Sequence, residues 1–91
     1  MDTGIDGNHP DLSSLIVNDL CRDFTNGVET NQFNPVDPHG HGTHVAGTIG
    51  AIGNNNIGVT GVNWNIGLVS LRVFDENGNG YSSYVANAIN Y

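Results

Sequence analysis

"DPHGHGTHVAGTIG", residues 37–50, holds three of the chain's four histidines, His39, His41 and His44, and then turns into small and apolar residues. Asp37-Pro38 favours a turn. From His41 onward, Val45, Ile49 and Ile52 recur at helical steps, which predicts a helix from His41 to about Ile52. Gly42, Ala46, Gly47, Gly50 and Ala51 lower its intrinsic helix propensity, and they also let a neighbouring backbone come close. A buried helix is therefore expected.

Working outward, "MDTGIDGNHPDL" (1–12) reads as the end of a strand running into a Gly- and Pro-marked loop. Leu15, Ile16 and Val17 make residues 13–20 a short strand candidate, and residues 22–40 are mostly loop, with Asn26-Gly27 and Asn34-Pro35 as turn pairs. After a turn at "GNNNIG" (53–58), "IGLVSLRVF" (66–74) is apolar at nearly every position, as a parallel strand covered on both faces would be. "DENGNG" (75–80) is a further turn, and 82–91 a second helix with Ser82 or Ser83 as N-cap. The order β, α, β, α predicts an α/β fold with a mostly parallel sheet and right-handed crossovers. Such sheets place their sites outside the carboxyl ends of the strands, where Asp2 falls.

The 91 residues suffice for one small domain, and 13 of them are Gly. Nine acidic residues stand against Arg22 and Arg72, with no lysine, for a net charge of −7. That balance excludes the basic footprint of a nucleic-acid partner and is compatible with a cation ligand or an acidic secreted surface. Cys21 is alone, so no internal disulfide forms. No apolar run is long enough for a membrane-spanning helix, so no membrane partner is expected. The opening lacks a charged-then-apolar leader, and the close falls inside an apolar periodicity. A domain truncated at both ends is expected.

The histidines allow three readings. As zinc ligands they are poorly arranged: His41 and His44 are separated by Gly-Thr with no Glu, and His39 lies across a glycine. As a base, His41 stands at a helix start, where the dipole disfavours positive charge and so favours the neutral imidazole. A base of this kind needs an orienting carboxylate on its other nitrogen, and Asp2 is a candidate. The third reading is a polar turn capped by His41.

Taken together, "DTG" at 2–4, "HPDL" at 9–12 and "HGTHVAGT" at 41–48 resemble the subtilisin-like serine proteases, the subtilases. "NIGVTGV" (56–62) and "LRVFDENGNG" (71–80) continue in the family's order, so that the resemblance covers nearly the whole chain. It implies a subtilisin-like three-layer α/β fold, and serine endopeptidase activity in an intact parent through an Asp-His-Ser triad. Asp2 matches the triad aspartate and His41 the general base. His44 matches a motif histidine that is not the base, expected to be buried, and His39 a position the motif does not fix, either solvated or tuning the base. The nucleophile belongs in a downstream "GTSMA"-like segment, and Ser13, Ser14, Ser70, Ser82 and Ser83 all lack that context. Loss of the nucleophile from such a triad lowers turnover by about 10⁶-fold, so the chain alone is expected to be inactive.

The resemblance also implies a calcium site. By the match, Asp11 gives its carboxylate, Asn55 its side-chain amide, and Gly53, Ile57 and Val59 their backbone oxygens. A hard cation takes roughly six to eight oxygens, which a loop readily supplies. "NGNGYSSY" (77–84) matches the turn bordering the family's substrate groove, so Asn79 and Gly80 are expected to offer backbone groups to an extended polypeptide substrate. Secretion of the parent follows from the family habit. The competing reading is a catalytically inactive calcium-binding or peptide-binding module.

Overall fold

A computed structural model describes all residues 1–91. The regular elements, in chain order, are β1 (Arg22–Asp23), β2 (Thr30–Asn31), α1 (His41–Gly50), β3 (Leu71–Arg72) and α2 (Ser82–Asn90). The sheet order is β2-β1-β3, with β1 antiparallel to β2 and parallel to β3. On the other side of β3, Asp2 pairs with Arg72 in a single parallel bridge; Ile16 pairs with Leu68, also in parallel, on the edge that β1 occupies. The fold is thus mixed α/β with a small three-stranded mixed sheet, in which one of the two strand pairings is antiparallel.

Two strand expectations need correction. Residues 13–20 form 3-10 turns at Ser13–Leu15 and Asn18–Leu20, joined by the one bridge at Ile16. The apolar run there packs one residue inward at a time instead of laddering: Ile16 is buried while Val17 and Leu20 are exposed. Of 66–74 only Leu71–Arg72 lies in the ladder. The Arg72 guanidinium donates to Asp23 Oδ2 at 3.1 Å, and this largely buried pair fixes the same register as the backbone bonds.

Helix α1 ends at Gly50, short of Ile52, and it is buried through the residues the periodicity ignored. Gly42, Ala46, Gly47 and Gly50 face inward, whereas Val45 and Ile49 are partly exposed along an apolar groove with Leu68 and Leu71. Only small side chains permit the close approach. Gly42 lies against the Gly4 backbone and Gly50 against Ile66 and Asn63. Helix α2 is capped by neither serine: Tyr81 is its N-cap, and no side chain bonds the first turn.

The core is split in two. Ile5, Leu12, Ile16, Cys21, Ala46, Ala51 and Leu68 form one cluster beside α1, and Phe24, Val73 and Ala88 form another beside α2. Cys21 is fully buried, its sulfur accepting the Ser70 amide at 3.2 Å, and burial pushes its thiol up from the ordinary value. No helix is long and apolar enough to cross a membrane.

Candidate functional site

The segment carrying Asp2 is tied to β3 by backbone bonds. The Asp2 amide donates to Leu71 O at 3.2 Å, and its carbonyl accepts from Val73 at 2.9 Å and Phe74 at 3.2 Å. Immediately after Asp2 the chain turns, with Gly4 at φ 124, and Thr3 is buried. His41 is the first residue of α1 and follows Gly40, whose φ of 98 turns the loop into the helix.

These two segments bring Asp2 Oδ1 within 2.8 Å of His41 Nδ1. An ionised carboxylate only accepts, so Nδ1 carries a proton and donates it, and in the neutral imidazole Nε2 then holds the lone pair. Asp2 Oδ1 also accepts the Thr3 amide at 2.7 Å. Partial burial pushes the Asp2 carboxyl up, but the His41 and Thr3 bonds outweigh it and hold its pKa below the ordinary value. The imidazole side chain is 61% exposed, so its free edge is open to a further reactant. A cleft beside the pair is lined by Asp2, Thr3, His39, His41, Phe74, Asn77 and Gly78.

His39 lies edge-on to His41 with ring centroids 6.3 Å apart, and its Nδ1 accepts the His41 amide at 3.3 Å. His44 does not match the buried residue expected of it. It is exposed on α1 and lines a polar depression with His9, Thr43, Thr48 and Thr60. None of the hydrogen bonds of Ser13, Ser14, Ser70, Ser82 or Ser83 reaches His41.

The sequence reading passed over Asp37, Thr3 and Thr43. Asp37 Oδ1 accepts from Thr3 Oγ1 at 2.8 Å, Gly40 N at 2.8 Å and His39 N at 3.2 Å. Its Oδ2 accepts from Thr43 N at 2.8 Å and Thr43 Oγ1 at 2.6 Å. Burial raises its pKa, but the Thr43, Gly40 and Thr3 bonds prevail and lower it to about 2. Asp37 stands four residues ahead of α1, whose N-cap position is Gly40, so no capping pattern marks its role. The turn reading of Asp37-Pro38 hid it.

The second cluster lies on the loop at 53–59. Asp11 is fully buried; its Oδ1 accepts from Asn55 Nδ2 at 2.8 Å, and its Oδ2 has no partner. Asn54, Asn56 and Gly58 all have φ near +60, the left-handed region Asn and Gly tolerate best, which explains the Asn-rich run. A side chain on Gly58 would strike Asp11 Oδ2. The carbonyls of Gly53, Ile57 and Val59 accept no hydrogen bond within the chain. An orphaned buried carboxylate oxygen packed against a loop with unbonded carbonyls fits a bound cation. The Asn55 amide, however, turns its nitrogen toward Asp11 and gives its oxygen to Ile57 N at 3.3 Å.

The expected backbone contact at Asn79 and Gly80 divides. Both backbone groups of Asn79 are taken by Asp75: its amide donates to Asp75 Oδ1 at 3.0 Å, and its carbonyl accepts Asp75 N at 2.7 Å. No backbone bond in the turns and loops involves Gly80, which lines a shallow depression with Thr25, Tyr81 and Tyr84.

A model of the Subtilase family (Peptidase S8) matches residues 1–91. The chain is 40% identical over 91 residues to a thermophilic serine proteinase of Bacillus sp. (strain AK1), covering all of this chain and 21% of that protein. It is 38% identical over 91 residues to thermitase of Thermoactinomyces vulgaris, covering 30% of it. Among solved structures, sphericase superposes with a TM-score of 0.85 at 40% identity, over 98% of this chain and 28% of that one. The chain therefore spans less than a third of the length of these relatives.

Proposed function

The chain belongs to the subtilase family, and from that premise we propose that it supplies the aspartate and histidine of a serine endopeptidase whose nucleophilic serine lies outside residues 1–91. The observation that carries this reading is the 2.8 Å bond between His41 Nδ1 and Asp2 Oδ1, with the rest of the imidazole open to the cleft. His41 Nε2 takes the proton of the serine hydroxyl as it attacks a peptide carbonyl, and returns it to the leaving amine. Asp2 holds the productive tautomer and stabilises the imidazolium. The substrate is an extended polypeptide, with Gly80 offering the free backbone groups at the groove edge; Asn79 serves by shaping the turn. The parent works outside the cell.

In the same proposal, Asp11, Asn55, Gly53, Ile57 and Val59 hold a structural calcium ion. When bound, the ion neutralises the buried Asp11 carboxylate and ties its segment to the 53–59 loop. Asn55 would join that set through its side-chain oxygen, which here accepts the Ile57 amide.

The test uses the full-length protein that carries this segment. A fluorophosphonate probe is expected to label one serine outside residues 1–91, and His41→Ala to abolish labelling. Labelling at Ser13, Ser14, Ser70, Ser82 or Ser83, or labelling indifferent to His41→Ala, would overturn the reading.

A further inference from the structure

We propose that Asp37 is the positioning residue of the Asp2–His41 pair, fastening the segment after Asp2 to the first turn of α1. The inference rests on the functional reading above and adds to it the device that sets the geometry.

Asp2 and His41 stand on separate segments, 39 positions apart, and their direct link is a single bond to an imidazole that is mostly exposed. A single hydrogen bond to an exposed side chain contributes little by itself and cannot hold two backbones in place. Asp37 does what that bond cannot. Its carboxylate takes five donors from both sides of the joint: Thr3 Oγ1 from the Asp2 side, and Gly40 N, His39 N, Thr43 N and Thr43 Oγ1 from the α1 side.

The two hydroxyls then close the circuit. Thr3 Oγ1 accepts the Gly42 amide at 2.9 Å, and Thr43 Oγ1 accepts the Asp6 amide at 2.9 Å. Each segment is therefore bonded to the other through a hydroxyl that Asp37 orients. Those two hydroxyls donate to Asp37 and so must point their lone pairs at the amides. An Asn at this position could not reproduce the arrangement, because its NH2 would face an N–H or O–H donor. Asp37 makes no hydrogen bond to either Asp2 or the His41 ring, so it acts on the pair only through this network.

A displacement on the order of 1 Å at reacting groups costs about 10²-fold in rate. In the full-length protein, Asp37→Asn is expected to lower kcat by about 10- to 100-fold while KM stays within about twofold, since the substrate groove is untouched. The downfield proton resonance of His41 Nδ1–H, which reports its bond to Asp2, is expected to broaden or shift in the same variant.

Asp2→Asn and His41→Ala are measured alongside. If both leave turnover unchanged, the functional reading fails, and this inference with it. If both cut turnover and a folded Asp37→Asn does not, the positioning role alone fails. A fall in turnover with an unshifted, sharp His41 resonance also overturns it, because the loss then arises elsewhere. Should Asp37→Asn fail to fold, Thr43→Val removes one hydroxyl link and decides the matter. A loss of kcat with a perturbed resonance supports the inference, and wild-type values for both sink it.

Discussion

Gly42 on α1 lies against the backbone of Gly4 with no space for a methyl group between them. A Cβ there would strike the Gly4 carbonyl and come within 3.1 Å of Asp2 Cβ. The helix and the Asp2 segment meet at backbone distance, and the Asp2–His41 bond spans the same joint. Gly42→Ala should therefore destabilise the full-length protein by about 1–3 kcal/mol, the usual cost of overpacking. Gly40→Ala is the companion: its added methyl meets nothing within 4 Å, so only the strain of φ 98 remains. Denaturant midpoints measure both. A Gly42→Ala variant indistinguishable from wild type would refute the close-contact account.

The orientation of the His41 ring depends on an acceptor at Nδ1. Asp2→Asn keeps the shape but can present an N–H where the carboxylate accepted, favouring the other tautomer and placing the proton on Nε2. For a triad of this kind kcat should fall by about 10⁴-fold, with KM little changed. Steady-state kinetics on a peptide substrate measure it. A loss below tenfold would show that Asp2 does not set the tautomer.

Much of this was readable from residue order, and what was missed has a common cause. Asp2 and His41 were candidates because one closes a strand-like segment and the other opens a helix, and the resemblance of "DTG" and "HGTHVAGT" to the subtilase motifs singled them out; the structure puts their side chains in contact. The helix at 41–50 was legible from its periodicity and its close packing from its small residues, but periodicity alone pointed to the wrong inward face. Val45 and Ile49 set the pattern, while Gly42, Ala46 and Gly47 do the packing. Periodicity counts apolar side chains, whereas close approach of backbones is governed by their absence. The strands failed for a related reason. At 13–20 the apolar residues suit a strand, yet the ladder there is one bridge long, because 3-10 turns at Ser13–Leu15 and Asn18–Leu20 bend the segment away on both sides of Ile16. Asp37 was hidden because its five donors come from residues up to 34 positions away, and local turn chemistry accounts for a Pro-preceding Asp without them.

The Asp37 carboxyl predicts a specific acid response. Its pKa is about 2 in the folded protein, against roughly 3.9 for an unperturbed Asp. Because the folded value is the lower one, the bonds to Thr43, Gly40 and Thr3 contribute their full stability above the unfolded value. That contribution fades as pH falls through the folded one. Asp2, also lowered, adds to the trend in the same direction. Wild-type stability should therefore drop between about pH 4 and pH 2 more steeply than that of Asp37→Asn, which has no carboxyl to protonate. Urea unfolding at a series of pH values measures the two slopes, and equal slopes would rule out Asp37 as a source of acid sensitivity.

The buried Asp11 carboxylate predicts the effect of a cation. With Oδ2 unbonded in a fully buried residue, the folded chain without a cation carries a desolvated acceptor, and whatever binds there selectively stabilises the folded state. Calcium at about 100 times its dissociation constant should add roughly 2.7 kcal/mol and raise Tm, and chelation should reverse both. Asp11→Asn separates the ion from the fold. Its amide relieves the orphaned charge, so the variant should lose most of the calcium-dependent rise while melting no lower than the wild type does in chelator. Scanning calorimetry with and without calcium gives all four values. If the variant keeps the full calcium shift, the ion binds elsewhere. If the wild type shows no shift at all, the orphaned oxygen is answered by something other than calcium.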